Sequence, residues 1–192
     1  VIENRIKSLE NEHSNTFPRA KIDHPTIGER PILSPSEKFE SCKNIGDVFE
    51  LVKETTERVI GLRRAGLTLY LVDLPVNIGG LHQIGSNAIV MNRALLMAIE
   101  RIAESKNDVN SFVYLILLHE YLHSLGYAEE GRVRELAYNI SMSTFGQDHE
   151  ITKLSKMGFS HILQRISQVP REKYGTVEIV RDFDRSSMSY IG

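Results

Sequence analysis

Residues 119 to 126 read His119-Glu120-Tyr121-Leu122-His123-Ser124-Leu125-Gly126, directly after the apolar run Phe112-Val113-Tyr114-Leu115-Ile116-Leu117-Leu118. That run is apolar enough to be a core helix, and the octet ends it. Residues four apart lie on one helix face, so His119 and His123 can point the same way and share one metal ion. Glu120 lies about 100° round the helix from His119, beside such an ion rather than on it. A carboxylate there can take a proton from a water held by the metal. Gly126 is a natural helix stop. With 7 His in 192 residues, an H-E-x-x-H run is expected by chance about 0.02 times in a chain of this composition, so the spacing carries information.

A catalytic zinc takes three protein ligands and keeps one position open, so a third donor has to follow Gly126. The next stretch, Tyr127-Ala128-Glu129-Glu130-Gly131-Arg132-Val133-Arg134-Glu135, offers three carboxylates. Glu129 falls three residues after Gly126, a position that resembles the third-ligand site of the metzincin peptidases. Their pattern is H-E-x-x-H-x-x-G-x-x-H/D, and the glycine lets the chain double back on the metal. Glu135 resembles the gluzincin arrangement, in which a glutamate on the next helix supplies the oxygen. If that helix starts near Glu130, Glu135 lies roughly 7 Å along it, and an antiparallel neighbour brings it level with the histidines. The expected set is His119, His123 and Glu129, with Glu135 next and Glu130 third. Asp148 and His149 sit past the far end of that helix, roughly 20 Å away.

Composition bounds the rest. A chain of 192 residues with 41% hydrophobic and 25% charged residues and a net charge of −2 fits a single globular domain with appended flanks. That balance argues against a nucleic-acid or membrane surface. The lone Cys42 excludes an intramolecular disulfide and suits a reducing compartment. No segment has the 18 or so apolar residues of a membrane span. Val1-Ile2-Glu3-Asn4-Arg5 lacks the order of a signal peptide, so a cytoplasmic location is expected.

Along the chain, Ile2, Ile6 and Leu9 share one face of a short helix over residues 1–12. Four of the six prolines then fall between Asn15 and Lys43, which predicts a loop-like stretch there, within a Pro-rich arm over 1–44. Val48, Leu51, Val52, Thr55 and Val59 predict a helix over 45–62. Leu67 to Leu74 alternates and ends at Pro75, reading as a strand. Asn77-Ile78-Gly79-Gly80 reads as a turn into Leu81-His82-Gln83-Ile84, and Asn87 to Met91 as a further strand. Asn92 is placed to cap a helix through Ala94, Leu95, Ile99 and Ile102. Helices follow over 130–145 and 150–168, with Thr176 to Val180 as an edge strand. The expected domain spans 45–170, with a tail over 171–192.

From Leu67 to Glu135 the chain resembles the small prokaryotic zincin metallopeptidases, including the minigluzincins. The resemblance implies an α+β, zincin-like fold, with a small twisted mixed sheet packed on the H-E-x-x-H helix and further helices after it. It implies one catalytic Zn2+ on His119 and His123, Glu120 as general base and proton shuttle, and a peptide or unfolded protein as substrate. The strand before the motif helix would wall the cleft, with His82 and Asn87 nearby, and the long flanks would suit a latent precursor. Two features depart from the metzincin pattern: a glutamate stands at position 129, and only Met142 and Met157 are near enough for a methionine turn.

Two other readings compete. The run His119-Glu120-Tyr121-Leu122-His123-Ser124-Leu125-Gly126-Tyr127-Ala128-Glu129 is similar to the H-G-x-L-H-L-x-G-Y-D-H of the endoribonucleases of ribosomal RNA maturation. Glu120 replaces their glycine, however, and Glu129 their third histidine. A non-catalytic zinc protein would close the fourth position with Cys42, His149, Asp182 or Asp184.

Overall fold

The computed structural model describes residues 33–75, 77–158, 166 and 177–186, all within the unit Leu33–Gly192. The first expected helix and the prolines before Leu33 lie outside them. Helix α1 (Pro35–Ser41) occupies the end of the expected loop. Ser34 accepts from the Glu37 N–H while Glu37 reaches back to the Ser34 N–H. This reciprocal cap starts a helix with Pro35 at its first position, where a missing N–H costs nothing. Phe39 of α1 is buried edge-on against Phe145.

Helix α2 (Ile45–Ile60), capped by Asn44, lays Val48, Phe49, Leu51 and Val52 into the core. Strand β1 (Thr68–Val72) alternates in burial, as its sequence alternates. The chain then forms β2 (Gly80–His82), β3 (Ala88–Asn92) and α3 (Arg93–Ile102). A last described strand, β4 (Glu178–Val180), joins the sheet from the far end of the chain. The order is β2-β3-β1-β4, with β1 parallel to β3 and both outer strands antiparallel to their neighbours. The architecture is therefore α+β with a small mixed sheet.

Asn92 does more than cap α3 through the Leu95 N–H. Its buried amide also donates to the carbonyls of Leu74, Pro75 and Ile78, and its oxygen accepts from the Leu74 N–H. One side chain thus ties down the loop that delivers β2.

Helix α4 (Lys106–Ser124) begins at a second reciprocal cap, between Ser105 and Asp108. It is buried nearly all round from Asn110 to Leu122, which marks a central helix rather than an amphipathic one. It meets α2, the later helices α5 (Glu130–Phe145) and α6 (Glu150–Met157), and strands β2 and β3. No helix of the described residues is long and apolar enough to cross a membrane.

Candidate metal centre

The motif occupies the last turn and a half of α4. Helical spacing sets the two rings side by side, with the Nε2 atoms of His119 and His123 3.2 Å apart. The Nδ1 of His123 lies 2.7 Å from the Tyr127 carbonyl. A carbonyl only accepts, so Nδ1 carries a proton and the ring is held with Nε2 facing the cluster. That contact needs the chain to reverse at once. Gly126, at φ 102°, supplies the left-handed turn.

The reversal starts α5 against the end of α4 and brings Glu130 onto the histidines. Its two oxygens stand 3.3 Å from His119 Nε2 and 3.2 Å from His123 Nε2. Among the described residues, His119, His123 and Glu130 are the one group of three or more such side chains close enough to hold a metal. Glu129, the expected third ligand, is not in it. Its backbone is extended, as the residue preceding a helix, and its carboxylate folds back over Gly131. The helix begins one residue later, and that step turns the next side chain to the cluster. Glu135 pairs with Arg132 at 2.7 Å.

The donor set fits a zinc ion. Ligands at about 2.0–2.1 Å from a tetrahedral centre stand about 3.3 Å from one another, which is the separation of the two Nε2 atoms and of each from its own Glu130 oxygen. Carboxylate oxygens and imidazole lone pairs so close repel unless a proton or a cation lies between them. Arg134, 3.8 Å from Glu130, is exposed on the outer side and compensates little. Burial holds His119 below the usual histidine range, against the pull of Glu130, so its ring favours the neutral form a metal needs.

Glu120 faces the other way, toward β2. It is 5% exposed and accepts no hydrogen bond from any described residue. Burial, with the nearby Glu130 charge, pushes its carboxyl up to about 8. Beside it opens a cavity of 870 Å³, lined by His119, Glu120 and Glu130 and by the apolar Leu115, Ile116, Leu154 and Met157.

Most of the other residues singled out in the sequence have structural partners. His82 holds the Ala88 carbonyl through Nδ1 (2.9 Å), and its Nε2 is buried without a partner among the described residues. Asn87 accepts from Arg64, which also donates to the Ser124 carbonyl at the end of α4. Neither His82 nor Asn87 lines the cavity. His149 caps α6 and stacks on Phe145. Cys42 donates to the Lys38 carbonyl, and burial pushes its thiol up to about 11. Asp184 pairs with Lys53. Met157 edges the cavity, while Met142 lies within α5. The flanks on which latency would turn lie largely outside the described residues. The chain matches no family model, no curated protein and no solved structure.

Proposed function

We propose that the protein is a zinc-dependent peptidase of the zincin type, with His119, His123 and Glu130 as metal ligands and Glu120 as general base. The observation that carries this reading is the gathering of three side chains beside a buried carboxylate, with the two ring nitrogens 3.2 Å apart and each 3.2 to 3.3 Å from its own Glu130 oxygen. Glu130 takes the place expected of Glu129.

When bound, zinc supplies Lewis acidity, polarising a carbonyl and lowering the pKa of water toward neutrality. Glu120 takes the proton from the attacking water and passes it to the departing amide nitrogen. Its burial suits both steps, because a carboxyl with a pKa near the working pH can accept and return a proton. His123, held by the Tyr127 carbonyl, keeps its donor lone pair aimed. Among the described residues, strand β2 is at the edge of the sheet and pairs only with β3, so an extended peptide can add to its other side. The apolar wall of Leu115, Ile116 and Leu154 suits a hydrophobic side chain of that peptide.

The test is metal dependence. Purified chain is expected to hold one zinc per molecule and to cleave an unfolded protein. A chelator should abolish cleavage, and returned zinc should restore it. Cleavage that survives complete removal of metal would overturn the reading.

A further inference from the structure

Gly79-Gly80 reads in the sequence as a turn signal, yet neither residue has a positive φ. Gly80 is the first residue of β2, in register with Met91. Any L-residue can adopt such a backbone, so conformational freedom does not explain the glycine. Space does. A Cβ at Gly80 would stand 2.9 Å from Glu120 Cγ, 3.0 Å from Glu120 Oε1 and 2.9 Å from the Val90 carbonyl oxygen. At Gly79 it would stand 3.2 Å from Ile116 Cδ1. Ile116 and Glu120 are four apart, on one face of α4. The two glycines therefore let bare strand backbone lie directly on that face.

We propose that Gly80 is a positioning residue for Glu120, its missing side chain leaving the space in which the carboxylate of the proposed base is seated. The claim rests on the peptidase reading for its role in hydrolysis; the packing relation between the two residues stands without it. Glu120 has three rotatable bonds and no hydrogen bond to a described residue, so contact with the strand is what restricts it. Neighbouring backbone cannot retreat as a side chain can. The Val90 carbonyl is fixed in the ladder, and an added methyl would have to displace the carboxylate, the strand, or both.

Two measurements separate the possibilities. The first is a melting cycle on metal-free chain. Gly80→Ala is expected to lower Tm on the order of 5 °C in the wild-type background, a usual cost of overpacking. In a Glu120→Ala background, where the space is vacated, the same change should cost less than half as much. Equal losses in both backgrounds would mean that Val90 alone meets the methyl, and would overturn the proposal. The second measurement is kinetic. In zinc-loaded protein, Gly80→Ala should keep its metal and lose roughly 10- to 100-fold in kcat with little change in KM, the scale expected for a displacement of about 1 Å. Unchanged kcat overturns the positioning role. Wild-type chain that neither holds zinc nor cleaves would sink the peptidase reading instead, and the melting cycle would still decide whether Gly80 seats Glu120.

Discussion

The protein buries carboxyl groups at two places and treats them in opposite ways. Beneath α2, Lys53 is fully enclosed, and its ammonium meets Glu50, Asp184 and Ser186, one acceptor for each proton. Asp184 in turn accepts from Lys53 and from the Leu67 and Ser186 N–H groups. Phe183 stacks on Phe49 beside them at 4.0 Å. At the end of α4, Glu120 is nearly as buried and has no such partner, while His119, His123 and Glu130 crowd their donors together. A satisfied buried charge anchors chain. A carboxyl that lines a cavity without such partners is pushed toward its neutral form by burial, and groups shifted in this way concentrate at functional sites.

Substitutions at the two places should therefore fail differently. The largest effect is expected from Glu120→Gln, which keeps the shape and removes the base. Hydrolysis of an unfolded protein should fall about 10²- to 10⁴-fold, with zinc content unchanged by metal analysis. Wild-type rates in this variant would remove Glu120 from the chemistry.

At the other place, Asp184→Ala should leave the metal alone and cost about 3–5 kcal/mol of stability, because Lys53 stays buried without its main counter-charge. Urea unfolding at neutral pH measures it, and replacing Lys53 with Met in the same chain should recover much of the loss. The pH dependence has a definite sign. Burial alone would raise Asp184, but its hydrogen bonds from Lys53, Leu67 and Ser186 hold it below the ordinary aspartate value of 3.8. Its contribution is fully present above about pH 3.8 and is lost as pH falls through the folded value. The gap between wild type and Asp184→Ala should thus stay constant well above the ordinary aspartate value and shrink as pH falls below it.

The pair Glu130→Ala and Glu129→Ala should differ sharply despite adjacency. The first should weaken zinc binding by at least about 10- to 100-fold, the scale already set by outer-shell partners. The second should change neither zinc affinity nor, beyond about 0.5 kcal/mol, stability. Competition with a chromogenic chelator reads both, and the reverse result would return the third ligand to Glu129.

Legibility followed the range of the interaction. The pairing of His119 with His123 and the place of Glu120 off their line were readable because helical period alone sets them, and Asn92 because a cap is a local pattern. The start of α1 was readable in principle, since Ser34-Pro35-Ser36-Glu37 is a capping signal, but the neighbouring prolines argued for loop. Glu129 and Glu130 could not be separated, because a helix that starts one residue earlier or later exchanges the side chain facing the histidines. Gly80 looked like a turn because strand and turn glycines are alike in sequence; only the helix behind it reveals the need for space. Lys53 and Asp184, 131 residues apart, share no local signal at all.

By itself, the sequence determined the motif helix, the order of elements from α2 to α5, and a glycine stop after His123, all consequences of periodicity and local hydrogen bonding. Tertiary structure alone decided which carboxylate joins the histidines, how closely β2 approaches Glu120, and that the segment ending in Asp184 closes over Lys53. Those depend on where separate elements come to rest against one another, and packing sets that to within an ångström while no stretch of chain encodes it alone.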